Sequence, residues 1–370
     1  MKLLPDEAVR EFFLLLRHSL YGEPLPAGYS GPSEDLKACI RGSGMEWLFS
    51  HPGCRMNGTS YSDDVAFRQQ LYCAMTEKTL TAIFEKAAEK QIPMAVMKGA
   101  VLSACYPEGI SRPTNDIDLY IPGAYKMAFK ELMGEMKAKL GEALDENQLG
   151  VDCYVMPNEI YIEAHYAICS YLPDRQRNAL KKEGMFGSEH FMPFQVNGKT
   201  VMTFEPEYHL AYMIYHFLKH LFFYEGGTLK MLADITLFVN ANAGEIDEKV
   251  LERLLADMGY LKAADAIFGV CREMAGMKKD FFLSTRPVYA EKMLERIAVE
   301  QDNTQKFREH LAWSIYHVDL TEDEAGNTDT TVRFKWWIFL AFLPFSLDWS
   351  RWRGFWGIQT AVKREKTGRF

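Results

Sequence analysis

The chain has 370 residues, a formal net charge of −8 and a sequence pI of about 5.7. That length allows two modest domains or one large decorated one without staples, and the acidic balance excludes a protein that grips long nucleic acid through a broad basic surface. The seven cysteines stand singly with no C-x-x-C pair, which excludes a zinc ribbon or dithiol redox motif and reads as reduced thiols of a cytoplasmic protein.

The opening MKLLPDEAVREFFLLLRHSL interleaves Asp6, Glu7, Arg10 and Glu11 with apolar residues at helical spacing, so it reads as an amphipathic helix and not a signal peptide. Residues 1–91 form a helical N-terminal region, broken by YGEPLPAGYSGPSED and HPGCRMNGTSYSDD. Ser62, Asp63 and Asp64 offer N-caps, and Phe67, Leu71, Ala74, Leu80, Ile83 and Phe84 follow near a 3.6 period, which predicts a long packing helix to Lys90.

At Ile92 the pattern changes. Short apolar runs alternate with turns: PMAVMKG, NDIDLYIPG, GVDCYVM, IYIEAHYAI, then FQV and KTVMTF joined by Asn197-Gly198, a strong type I′ hairpin signal. Helical segments are predicted at Ala100–Tyr106 and Ala124–Leu140, so residues 92–204 read as an α/β core within an α+β chain. Residues 205–370 read as a helical C-terminal domain with an aromatic tail, its helices falling in EPEYHLAYMIYHFLKHLFFYEGG, LKMLADITLFVNANAG, EIDEKVLERLLADMG and YLKAADAIFGVCREMAG. Trp336, Trp337, Trp349, Trp352 and Trp356 suit base stacking, a membrane belt, a core or an interface to another chain. The apolar run Trp336–Leu347 contains Pro344 and falls short of the roughly twenty residues that a spanning helix needs, so no membrane span is expected.

The chemistry lies in MKGAVLSACYPEGISRPTNDIDLYIPG. Asp116 and Asp118 are two apart in an apolar run, so on a strand both carboxylates share one face while Ile117 and Leu119 take the other. Two acids at that spacing repel unless a cation lies between them. Either the strand is an edge with a solvated acidic face, or it holds divalent metal, as in two-metal sites where carboxylates keep ions about 3.5 to 4 Å apart. Upstream, Lys98 and Gly99 close a buried run and open a short helix, where a glycine and free N–H groups can approach phosphate. Arg112, four residues before Asp116, offers a forked donor to the same phosphates.

The string Lys98-Gly99, Arg112, Asn115-Asp116-Ile117-Asp118-Leu119 resembles the "KG … R … DxD" signature of the uncharacterised nucleotidyltransferases of the polymerase-β superfold. Ile162-Glu163-Ala164-His165-Tyr166 is similar to the acidic-then-histidine strand of that family, and His216, His220 and Asp234 match its helical H-x-x-x-H followed by an aspartate. The resemblance covers roughly residues 93 to 240, with an echo at Phe342–Pro344; it departs from the superfold at Ala100, where the Gly-Ser pair would supply a hydroxyl. It implies a mixed sheet with helices, Mg²⁺ or Mn²⁺ on Asp116 and Asp118, and nucleotidyl transfer from a nucleoside triphosphate. The acceptor is open, with a small molecule, sugar or protein ahead of long nucleic acid.

Glu163 and His165 share a strand face, as the two aspartates do. With the resemblance, Glu163 is expected as a third carboxylate and metal ligand, against the alternative of a cross-strand pair; His165 either orients a substrate or satisfies its own hydrogen bonds. His216 and His220 have zinc-compatible i, i+4 spacing without the glutamate of H-E-x-x-H, and read as a cleft wall or an interior pair. In the expected reaction an acceptor hydroxyl attacks the α-phosphorus. Asp116 and Asp118 hold the metals, Glu163 holds the nucleophile-side metal or takes the proton, and Lys98, Gly99 and Arg112 hold the triphosphate. The alternative is an inactive nucleotide- or partner-binding module on the same fold.

Overall fold

The computed structural model describes residues 6–42, 45–46, 63–108, 110, 112, 114, 116–141, 150–169, 172, 174–185, 187–223, 229–281, 316–322 and 328–334. Two N-terminal helices, α1 (Asp6–Tyr21) and α2 (Glu34–Gly42), precede a long α3 (Asp63–Glu89). The α/β segment follows as β1 (Ala95–Met97), α4 (Gly99–Ser103), β2 (Asp116–Tyr120), α5 (Lys126–Glu135), β3 (Lys139–Leu140), β4 (Val151–Val155), β5 (Tyr161–His165), α6 (Asp174–Lys182), β6 (Phe191–Val196) and β7 (Lys199–Phe204). Then come α7 (Pro206–Phe223), α8 (Leu229–Ala241), α9 (Glu248–Met258) and α10 (Leu261–Val270).

The α+β class expected from the sequence is the observed one, built on a five-stranded mixed sheet of order β1-β2-β5-β4-β3. β2 and β5 pair in parallel at its centre, with Asp118 opposite Glu163 and Tyr120 opposite His165. Partners in register point to the same side, so this pairing superimposes the two acidic faces. The opposite face packs into the core through Ile117, Leu119, Ile162 and Ala164, all buried. The β6–β7 hairpin turns at Asn197 and Gly198, both left-handed (φ 51° and 73°), as a type I′ turn requires.

Several elements differ from the sequence reading, each for a local reason. α5 stops at Glu135, short of the expected Leu140: Lys137 turns left-handed (φ 58°) and the Ala138 N–H reaches back to the Met133 carbonyl (3.0 Å), a helix-ending motif that frees Lys139 and Leu140 to pair with β4. In α3 the buried positions include Cys73, Thr76, Thr79, Leu80 and Ile83, whereas Phe67, Leu71 and Ala74 face out. The threonines tolerate burial because their hydroxyls bond the carbonyls of Tyr72 and Met75 one turn back (2.9 Å each). α6 has no apolar stripe to announce it; it is anchored by buried Leu180 and by Gln176, which donates to the Met258 carbonyl (2.9 Å). Residues Tyr316–Glu322 and Thr328–Phe334 pair as an antiparallel hairpin, β8 and β9, in a stretch expected to be helical. The aromatic positions from Trp336 onward lie outside the described residues.

One hydrophobic core runs continuously from Val9 to Phe281. Among the described residues no helix is long and apolar enough to cross a membrane. α9 is closed at both ends: the Asp247 carboxylate accepts the N–H groups of Lys249 (2.9 Å) and Val250 (3.1 Å), and Gly259 ends the helix in the left-handed region (φ 72°). Asp247→Ala is expected to lower stability by about 1 kcal/mol, the usual worth of such a cap, read as a shift of the urea midpoint with unchanged slope.

Candidate active site

β2 lies between β1 and β5, so the Asp-x-Asp strand is not an edge, and Asp118 is only 2% exposed. The solvated-acidic-face reading therefore fails for Asp118. Its Oδ1 takes the Lys98 ammonium at 2.8 Å and the His165 Nε2 at 3.2 Å, and the same Nε2 lies 3.3 Å from the Glu163 Oε2. Asp116, two residues earlier, has the Thr114 hydroxyl 3.3 Å from its carboxylate, with that hydroxyl donating more closely to the Asp116 backbone carbonyl (2.6 Å). Ligand atoms of Asp118, Glu163 and His165 all lie within 4.8 Å of one another. Two carboxylate oxygens and an imidazole nitrogen at that spacing fit a divalent cation with mixed oxygen and nitrogen ligation.

The charges alternate along this face. Burial alone would raise the Asp118 carboxyl, but Lys98 and His165 hold it well below the usual range. Burial likewise opposes the charges of Lys98 and His165, and the neighbouring carboxylates override it, Asp118 foremost, so both cations are favoured. Glu163 is lowered against its own burial, first by the bond from His165. Asp116 has less relief: burial and then the Asp118 charge push it up to about 6, against the smaller lowering by Lys98 and Arg112. Lys98 and His165 thus supply to Asp118 and Glu163 the positive charge that an ion would bring.

Lys98 follows β1 with φ 54° and ψ −133°, and Gly99 with φ 34° opens α4. Gly99 is required by that positive φ more than by space, since an added Cβ would meet Thr114 at an ordinary 3.5 Å. α4 is a single five-residue turn. Arg112 sits on the wall behind: its Nε and one terminal nitrogen donate to the Asp234 carboxylate (2.7 and 2.9 Å), the Tyr106 hydroxyl donates to the same Oδ1 (2.9 Å), and its backbone N–H donates to Ser103 Oγ (3.1 Å). The fork expected to face phosphate is in this structure engaged with Asp234. Lys230, one turn before Asp234 on α8, has its pKa drawn down to about 8 by burial and then by Arg112.

α7 covers the acidic face. His216 Nε2 lies 3.4 Å from the Lys98 Nζ, and the rings of His216 and His220 are 4.4 Å apart. Burial, joined by Lys98 and Lys219, pushes His216 well down and His220 to about 3, so the neutral form of both is favoured and His216 can accept from Lys98. Among the described residues neither belongs to a three-ligand metal group. Sequence reasoning passed over His209, which contacts the Lys98 backbone, and Lys230. His209 stands seven residues before His216, the spacing of one helix face, and that was the available signal.

Residues 62–276, more than half of the chain, match the model of the uncharacterised nucleotidyltransferase family, and the chain belongs to that family. Among solved structures, an antigenic nucleotidyltransferase-like protein from Paracoccidioides brasiliensis aligns at 14% identity with a TM-score of 0.36, covering 54% of this chain and 92% of that one. The solution structure of the antibiotic-resistance factor ANT(2'')-Ia aligns at 15% identity with a TM-score of 0.34, covering 51% and 95%. No curated protein matches the chain.

The two aspartates are expected to respond oppositely to neutralisation in metal-free protein. The folded pKa of Asp116, about 6, lies above its unfolded value, so its contribution to stability is present at low pH and is lost as pH rises through 6. Asp116→Asn should therefore raise the urea midpoint at pH 8 and bring less gain at pH 5. Asp118 is depressed in the folded state, so its contribution is present above its unfolded value; removing it at pH 8 takes the ion-pair partner from the buried Lys98 ammonium and should cost on the order of 3–5 kcal/mol. Unfolding curves in chelator at both pH values check the opposite signs.

Proposed function

We propose that this chain transfers a nucleoside monophosphate from a nucleoside triphosphate to an acceptor hydroxyl. The observation that supports this reading most is the β2–β5 register, which sets Asp118 beside Glu163 on one covered face with Lys98 at 2.8 Å and Asp116 on the same strand. Asp118 and Glu163, whose ligand oxygens lie within 4.8 Å of one another and of the His165 imidazole, would hold Mg²⁺ or Mn²⁺, and Asp116 on the same strand would complete a two-metal set. When bound, the metal supplies positive charge at the reacting phosphate and makes the acceptor hydroxyl more acidic.

The chain's own residues do the remainder. Lys98 neutralises phosphate charge as it is drawn from Asp118, and the Gly99 backbone admits close approach of the phosphates. Arg112 lends charge from the wall where Asp234 fixes it, and Lys230 adds a cation whose charged form a bound anion would favour further. Glu163, with a side chain 20% exposed against 3% for Asp118, is the carboxylate open to an incoming acceptor and takes its proton. The net charge of −8 favours a small molecule, sugar or protein over long nucleic acid as acceptor, and we place the reaction in the cytoplasm, where triphosphates and reduced thiols coexist.

A second reading has one observation in its favour: Lys98 and His165 already satisfy Asp118 without a metal. On that reading the cleft binds nucleotide or a partner and does not transfer. Incubation with labelled ATP, GTP, CTP and UTP in cell extract, followed for pyrophosphate release and for labelled product, separates the two. Metal-dependent binding without release on any acceptor supports the binding module.

Lys98→Ala is expected to weaken triphosphate binding by roughly tenfold to a hundredfold while nucleoside binding stays nearly unchanged, the scale of one charge-assisted hydrogen bond. Equal losses in calorimetric titrations of both ligands would place Lys98 away from the phosphates. Glu163→Gln should leave triphosphate affinity within a fewfold and lower transfer by roughly 10² or more. Normal turnover with only a stability change would return Glu163 to a cross-strand role.

A further inference from the structure

Lys98 has a side chain, yet its backbone sits at φ 54° and ψ −133°, a conformation that favours glycine. Something outside the loop must hold it. The Lys98 N–H donates to His209 Nε2 (3.3 Å); on the other side of the ring, His209 Nδ1 lies 3.3 Å from Thr203 Oγ1, whose own hydroxyl proton is donated to the Val96 carbonyl (2.9 Å). With that proton committed, Thr203 can only accept from His209, so the ring carries its proton on Nδ1 and a bare lone pair on Nε2. The bonds close a bracket from β1 through β7 and α7 back to the residue after β1. His209 is fully buried, and burial followed by the Lys98 charge pushes its pKa down to about 3, so it stays neutral. Two turns along the same helix face, His216 meets the ammonium of the same lysine.

We propose that His209 is a positioning residue, which fixes the Lys98 turn by accepting its backbone N–H and so aims the ammonium at the acidic face and the Gly99 backbone at phosphate. It deepens the nucleotidyl-transfer reading and rests on it only where phosphate is invoked.

The test separates the two edges of the ring. A glutamine carbonyl reaches the Nε2 position and can accept from Lys98, whereas an asparagine amide reaches only the Nδ1 position and can satisfy only Thr203. In full-length protein, His209→Gln should keep Mg²⁺–ATP affinity within about threefold, and His209→Asn should lose about tenfold, near the scale of one hydrogen bond. Hydrogen exchange of the Lys98 amide should follow the same order, with Asn about tenfold faster than Gln. ¹⁵N-histidine spectra of the wild type should show His209 protonated on Nδ1. A proton on Nε2, or equal Lys98 exchange in the two variants, overturns the proposal. If the wild type binds no triphosphate, the functional reading fails while the exchange and the tautomer still decide the role of His209. If the Asn variant does not fold, Thr203→Val, which removes the acceptor that orients the ring, should speed Lys98 exchange; unchanged exchange overturns the proposal.

Discussion

The ion pair between Lys98 and Asp118 organises the rest of the molecule. A carboxylate 2% exposed in the middle of a sheet is tolerable only with a cation in contact, and here the cation comes from the end of the neighbouring strand at 2.8 Å. That requirement explains why β1 runs antiparallel beside β2, with Met97 opposite Asp118, and why the chain turns sharply at Lys98. It also explains why the second acidic strand brings its own counter-charge, His165, two residues after Glu163.

The helices after the sheet are fastened to the same region by polar contacts as well as by apolar packing. α7 touches Lys98 through His209 and His216, and α8 holds Arg112 through Asp234 with help from Tyr106. Each of these buried polar groups has partners, which is the condition under which a polar network specifies one arrangement. Asp116 is the exception in charge terms: among the described residues no cation lies at ion-pair distance from it, and burial followed by the Asp118 charge raises its pKa. A face balanced at Lys98, Asp118, Glu163 and His165 and unbalanced at Asp116 is poised for an added positive charge.

Much of this was legible in the chain. Alternation in DIDLY and YIEAH gave the faces, Asn197-Gly198 gave the hairpin, and Gly259 gave the end of α9. The shared face of Asp116 and Asp118, and that of Glu163 and His165, followed from period two, but the adjacency of Asp118 and Glu163 needed the parallel pairing of β2 with β5, which no local pattern encodes. Arg112 shows the limit most clearly. Its position upstream of Asp116 suggested phosphate, while its partner Asp234 lies 122 residues away and could be paired with it only in three dimensions. The outward turn of Phe67 and Leu71 was missed because buried threonines that bond their own helix look polar in a sequence.

The docking of α1 bears on how the chain folds as it is made. Phe12, Phe13, Leu15 and Leu16 are fully buried, and the end of this helix is completed by residues far downstream: Arg17 donates to the Met274 carbonyl, and Tyr21 meets the Asn240 amide and the Lys278 ammonium. A nascent chain therefore emerges with its first apolar helix before the surface that finishes the core exists. At synthesis rates of about 5–20 residues per second, some 250 residues separate the two by roughly a quarter to most of a minute. During that interval α1 has α2 to pack against but lacks its partners around Asn240, Met274 and Lys278.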